Sequence, residues 1–274
     1  MRLRTVNVPY KTGDVFSLYP IGDVHLGSVN CDKDLFDATI KRIRDDPKAL
    51  WLGMGDMVEA IAPSDKRWTA GGVDQTIVNM ASQDRIGDVY VEKLADKLRP
   101  IADKCIGYSD GNHELTFDKH YFTKISVRVL EAIGRPDAYN GWACLTRLAF
   151  ESDGGHRYPL RIFSHHGWQG GRMDGAKVNE SRRLMAYVDA DIYLTGHSHS
   201  KFIVPNTRLS VNQSWTKLTA QTTWVAHTGS FLRTLQVDHS GYAERAGYPP
   251  TTLGTVCFRI TVSSTYGWTT EAVQ

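Results

Sequence analysis

Four cysteines occur in 274 residues, Cys31, Cys105, Cys144 and Cys257, all far apart, and no C-x-x-C pair is present. That spacing argues against a thiolate zinc site and makes reduced thiols in a cytoplasmic protein the expectation. Nowhere do about 18 apolar residues run together, and the opening MRLRTVNVPYKTGDV has no apolar signal core, which speaks against membrane spanning and secretion. Net charge is only +2, too small to announce a nucleic-acid surface. Basic residues are merely shifted rearward: 20 Lys and Arg against 23 Asp and Glu up to residue 156, then 12 against 7. Repeats, low-complexity tracts and Pro/Ser-rich linkers are all missing. A single domain over 1–274 is expected, with a core of about 14–200 and a β-rich part of about 201–274. The chain is long enough to bury a full core, and 41% hydrophobic with 23% charged residues is an ordinary soluble composition.

Strands and helices alternate through the first half. DVFSLYPIG (14–22), ALWLGMG (49–55) and KCIGYSDG (104–111) read as strands. Asp32 caps a helix through LFDATIKRIRDD, with Leu35, Phe36, Ile40 and Ile43 on one face and Pro47 as its stop. Helices are also predicted over about 74–99, ended by Pro100, over 124–134, closed by Gly134, and over about 175–188. ACLTRLAFES and YPLRIFSHH flank Asp153-Gly154-Gly155 as a hairpin. DIYLTG is a further strand, and 201–263 adds more. An α/β half joined to a β-rich half implies two packed sheets with helices outside.

Five polar clusters fall where predicted strands end: Asp23 and His25 in GDVH, Asp56 after Gly55, GNHE (Asn112, His113, Glu114), SHHG (His165, His166) and GHSH (His197, His199). Functional groups of α/β sheets gather at carboxyl ends of strands. D-x-H occurs about once by chance in this composition, and Asp118-Lys119-His120 is such a decoy, read as surface ahead of a helix. G-H-x-H and G-N-H are each expected only about 0.03 times. Carboxylate, imidazole and one amide, without thiolate, suit borderline divalent metals. Two ions need a bridging carboxylate and roughly three further ligands each. Asp56 is the bridge; Asp23, His25 and His199 complete one ion, and Asn112, one histidine of SHHG and His197 the other. On an extended chain the two histidines of GHSH point the same way, one to each ion.

These motifs, in this order over residues 14–200, resemble the calcineurin-like metallophosphoesterase superfamily. The resemblance implies an α/β (α+β) fold, a four-layer α-β-β-α sandwich of two mixed sheets. It also implies two divalent ions, manganese first with iron, zinc, cobalt or nickel as alternatives, and phosphoester hydrolysis by a hydroxide bridging them. For the doubled histidine it favours His165 as the ligand over His166. The tract from GHSH through TGSFLRT to YAERAGYPPTTLG is similar to phage and bacterial phosphoesterases of unassigned substrate, without the capping domain of the DNA double-strand-break nucleases. His113, beside Asn112, is placed to protonate a leaving oxygen or to donate to a nonbridging one, with Asn112 and Asp56 completing the catalytic set and Glu114 either orienting that imidazole or lying on the surface. A phosphodiesterase on nucleotide or nucleic-acid-end diesters follows, with no membrane and no obligate protein partner. Phosphomonoesterase or protein phosphatase activity, and an inactive scaffold of the same fold, stand as alternatives, though a scaffold should have lost ligands and no ligand is missing.

The other histidines, His120, His156, His227 and His239, read as structural or solvated. Arg172, Lys177, Arg182 and Arg183 in the tract 168–183 are either phosphate-facing cations or a solvated helix start. Arg67 and Trp68 could hold a phosphate and stack a base, but packing of Trp68 is favoured. KLADKLRPIADK is expected as an exposed helix face.

Overall fold

The computed structural model describes residues 1–61, 65, 68, 70–81, 85–168, 171, 173–212, 214–235, 244, 247–263 and 267–273. Its strands are β1 (Arg2–Pro9), β2 (Val15–Ile21), β3 (Ala49–Gly53), β4 (Cys105–Ser109), β5 (Tyr139–Gly141), β6 (Ala143–Glu151) and β7 (Arg157–His165). They continue with β8 (Ile192–Thr195), β9 (Lys201–Val211), β10 (Leu218–Ser230), β11 (Gly254–Thr255), β12 (Cys257–Ser263) and β13 (Gly267–Val273). The helices are α1 (Lys33–Asp45), α2 (Gln75–Ala81), α3 (Ile86–Leu98), α4 (Asn112–Tyr121), α5 (Ile125–Ala132) and α6 (Asp174–Arg183).

Among the described residues the strands form two mixed sheets. One runs β1-β6-β7-β8-β10-β11 with β9 paired to β10; the other runs β13-β12-β2-β3-β4-β5. Strand parity explains the layering, because successive side chains leave a strand on opposite faces. In β2 and β3, Phe16, Leu18, Leu50 and Leu52 enter a core shared with Leu160, Ile162, Ile192 and Leu194 of the facing sheet. Tyr19, Ile21, Ala49 and Trp51 point the other way, onto α1, α3 and α5. On the far side, Phe163, Tyr193 and Val225 pack against Leu184, just past α6. The order is therefore helices, sheet, sheet, helix. Both faces of each central strand are buried, which is why these strands read as continuous apolar runs.

Asp32 caps α1 by accepting from the Leu35 N–H at 3.1 Å, and Lys104 closes its other end on the carbonyls of Ile43, Arg44 and Asp46. Lys104, predicted on an exposed face, thus serves as a helix stop. The predicted helix over 74–99 is two helices, α2 and α3, and Pro100 lies in a 3-10 turn that follows. α6 ends at Arg183, earlier than predicted. Asp118-Lys119-His120 occupies the last turn of α4, just ahead of α5. The segment after residue 200 is woven into both sheets: β10 lies beside β8, and β12 beside β2. No helix among the described residues is long and apolar enough to cross a membrane.

Candidate metal centre

The parallel strands β2, β3 and β4 of one sheet and β7, β8 and β10 of the other end at a common pole, and each leads into a turn that carries polar side chains. These turns are left-handed. Among the described residues eight non-glycine residues have positive φ, and five of them are Asp23 (49°), His25 (51°), Asp56 (50°), His197 (68°) and His199 (55°). Each such residue costs about 1–3 kcal/mol, so the surrounding packing must hold them. His197 and His199 therefore do not stand on an extended chain as the sequence reading supposed. Two left-handed residues with a serine between them aim their rings at different neighbours.

The first group joins Asp23, His25 and His199, whose ligand atoms lie within 4.8 Å of one another. His199 Nε2 is 3.5 Å from Asp23 Oδ1 and 3.2 Å from His25 Nε2. His25 Nδ1 donates to Glu59 Oε2 at 2.8 Å, so its Nε2 lone pair is turned to the cluster. The second group joins Asp56, His166 and His197 in the same way. His166 Nδ1 donates to the Met54 carbonyl at 2.8 Å, while its Nε2 lies 3.1 Å from Asn112 Oδ1 and 3.3 Å from Asp56 Oδ2. His197 Nδ1 is 2.8 Å from the same Asn112 oxygen.

His166, not the favoured His165, is the histidine brought to this group. β7 places Leu160 and Ile162 on the inter-sheet side and His165 on the outer side beside Phe163, and His166, one residue past the strand, turns to Asn112 and Asp56. His165 Nδ1 accepts the Gly167 N–H at 2.9 Å, and its ring meets Trp142 and Trp168. The sequence carries this signal: Leu160 and Ile162 alternate with Arg161, so the even positions are the buried ones.

Backbone contacts lock the turns together. Asp56 Oδ1 accepts the His113 N–H at 2.9 Å, at the positive end of α4. Glu114 is buried, and its carboxylate accepts from the N–H groups of Asp56, Met57, Val58 and Gly111 at 2.8–3.3 Å. It neither orients the His113 ring nor lies on the surface. The His113 ring instead donates from Nδ1 to the Glu59 carbonyl. Ser230 Oγ and the Phe231 N–H both reach the Asp23 carbonyl, at 2.9 and 3.0 Å. His227 is fully buried, with Nε2 on Ser181 Oγ at 2.7 Å and Nδ1 on Ser198 Oγ at 2.8 Å, and it ties α6 to the turn between the two histidines. Glu59 belongs to no recognised motif, and Ser230, although it lies in the TGSFLRT tract, carries no sign of this contact in the sequence.

Burial and neighbouring charge set the ionisation. Burial pushes the Asp23 carboxyl up to about 7, against the pull of His166. Burial opposes charge on His25 and His166, yet Glu59 beside the one and Asp56 beside the other outweigh it, raising them to about 9 and about 10. Burial works against ionised Asp56 too, but His166 and His113 hold it well below the usual carboxylate range. His199 is driven well below its ordinary value by burial and by His25.

A cation fits this donor set. Asp23 Oδ1 is buried without a hydrogen-bond partner. His166 Nε2 faces only acceptor oxygens, and two imidazole Nε2 atoms face each other at 3.2 Å. Buried acceptors turned on one another are unfavourable unless a proton or a metal lies between them. Oxygen and imidazole donors without sulfur suit borderline divalent ions.

Of the remaining candidates, Lys177 is buried on Ser200 Oγ at 2.6 Å, so it is not a phosphate-facing cation. Trp68 packs against the helix-side core. Arg67, Arg172 and His239 lie outside the described residues.

No protein-family model and no curated protein matches the chain. Among solved structures, a calcineurin-like phosphoesterase, YfkN from Bacillus subtilis, is similar at 9% identity with a TM-score of 0.38, over 94% of this chain and 90% of that one. A conserved uncharacterized protein of Streptococcus pneumoniae TIGR4, titled a predicted phosphoesterase, is similar at 12% identity and 0.35, over 95% and 90%. A Vps29 double mutant from Entamoeba histolytica is similar at 12% identity and 0.34, over 95% and 98%. At these values none of them carries a residue's role over to this chain.

Proposed function

We propose that the chain is a divalent-metal-dependent phosphoester hydrolase of the calcineurin-like kind, acting on diesters. The observation that carries this reading is the convergence of acceptor atoms from five turns, with Asp23 Oδ1 buried and without a hydrogen-bond partner. Asp23, His25 and His199 would hold one cation and Asn112, His166 and His197 a second, with Asp56 shared. Such cations supply acidity to a water molecule and neutralise phosphoryl oxygens.

The protein's own part is positioning and proton transfer. The Glu59 hydrogen bond turns His25 Nε2 inward, and the Met54 carbonyl does the same for His166. Because the Glu59 carbonyl can only accept, the Nδ1 hydrogen of His113 is committed to it and Nε2 is the nitrogen that exchanges a proton. His113 thereby serves as the acid toward a leaving alkoxide, a role that gains weight as the leaving group becomes more basic.

The test is hydrolysis of paired aryl phosphate mono- and diesters by the full chain with manganese, iron, zinc, cobalt or nickel. Diester turnover is expected with at least one ion, and His113→Ala should keep metal binding while losing roughly 10²–10⁴-fold in kcat on an ester with an alkoxide leaving group and less on the aryl esters. Faster monoester turnover would overturn the diester assignment, and no turnover with any ion would overturn the hydrolase.

A further inference from the structure

Beside the second metal group stands a row of rings that the hydrolytic chemistry does not use. Trp142, half-buried between β5 and β6, lies with its centroid 5.3 Å from His166 and 5.9 Å from His165. His165 in turn meets Trp168 at 4.8 Å, edge to face, and Trp168 remains 47% exposed. The row is built by the backbone. The His166 N–H reaches the Trp142 carbonyl at 3.4 Å, and the Gly167 N–H holds His165 Nδ1 at 2.9 Å. Gly167 has φ +116°, and a Cβ there would lie 2.7 Å from the Gly196 carbonyl, so the chain turns hard against the GHSH loop before Trp168.

We infer that Trp142, His165 and Trp168 form a stacking wall for a planar aromatic group carried on the substrate phosphorus, and that this group is a nucleobase. The inference rests on the proposed hydrolase reading for where phosphorus is held. Trp142 is in ring contact with His166 of the metal group, and Trp168 is joined to Trp142 through His165, so the wall would begin at Trp142 beside a phosphoryl group held at Asp56, Asn112, His166 and His197. The centroid steps from His166 to Trp142, from Trp142 to His165 and from His165 to Trp168 are 5.3, 5.9 and 4.8 Å, so the row is longer than one phenyl ring, and a base spaced from phosphorus by a ribose would reach past its first ring. Stacking on an indole is tolerant of base identity, because every base presents a π-face. The wall also accounts for the doubled histidine: His166 turns to the metal group, and His165 spaces the two indoles.

The experiment compares three manganese-dependent substrates with one leaving group: thymidine 5′-(4-nitrophenyl phosphate), phenyl 4-nitrophenyl phosphate and methyl 4-nitrophenyl phosphate. Trp168→Ala should raise KM for the thymidine ester roughly 5- to 100-fold, leave the methyl ester near its wild-type kcat/KM, and be largely rescued by Trp168→Phe. Equal change on all three esters, or none, overturns the wall. Equal loss on the phenyl and thymidine esters keeps an aromatic site but overturns the nucleobase. If the wild type cleaves none of the three, the hydrolase reading fails and the wall is judged by binding. Calorimetric binding of thymidine monophosphate but not ribose 5-phosphate, weakened in Trp168→Ala and retained in Trp168→Phe, supports it, and equal affinity in all three proteins overturns it.

Discussion

Asp56 sends one carboxylate oxygen to the head of α4 and turns the other to the His166 ring, while its own backbone sits in a left-handed turn. Single residues of this kind carry the site, and their partners are what a sequence reading finds hardest to see. Glu59 is the clearest case: it stands three residues after Asp56 in no motif, yet it fixes the His25 tautomer. Glu59→Ala is expected to weaken metal binding by roughly 10- to 100-fold in calorimetric titration, as for other carboxylates behind a ligating histidine. Unchanged affinity would remove Glu59 from the site. Asp23, His25, Asp56, Asn112, His197 and His199, which the structure brings together, could be read as one set because G-N-H and G-H-x-H are rare and every cluster falls where a strand ends. The choice between His165 and His166 was legible too, but through the parity of β7 and not through habit of the motif.

α4 shows what periodicity misses at the scale of an element. Its sequence NHELTFDKHY buries only Glu114 and Phe117, so no apolar stripe announces a helix. It is held by Glu114, which joins its first turn to the Asp56 turn, and by Asp56 itself. Gly111 is required there for close approach: a Cβ would lie 2.1 Å from Asp56 Oδ1 and 2.2 Å from Asp56 N. Gly111→Ala should cost about 1–3 kcal/mol in denaturant unfolding and weaken metal binding as well. A variant with wild-type stability would show that the turns do not depend on each other. The edge strands β1 and β13 escaped for a different reason, since one face of each is solvated and their alternation is shallow. The central strands and α1 were readable because both faces, or one full stripe, are apolar.

Over the whole molecule the two sheets bring turns as far apart in sequence as Asp23 and Ser230, 207 residues, into hydrogen-bonding distance. No local pattern encodes that meeting. It follows from parallel strands sharing one pole. The meeting has a measurable electrostatic consequence. Without a metal, His25 and His166 titrate near 9 and near 10, above the ordinary histidine value, so both hold protons at pH 7.5. A ligating nitrogen must be unprotonated, so metal binding should expel about two protons per chain, and affinity should fall as pH drops from about 9. Calorimetry in buffers of different ionisation enthalpy reads that number directly. Binding without proton release would place the metal elsewhere.

The central claim is that two cations share Asp56. Anomalous scattering from manganese-soaked crystals tests it most directly. Two peaks about 3.5–4 Å apart on either side of the Asp56 carboxylate, one of them within reach of His166, are the expected result. An empty site at Asp56, or a peak coordinated by His165, would contradict it.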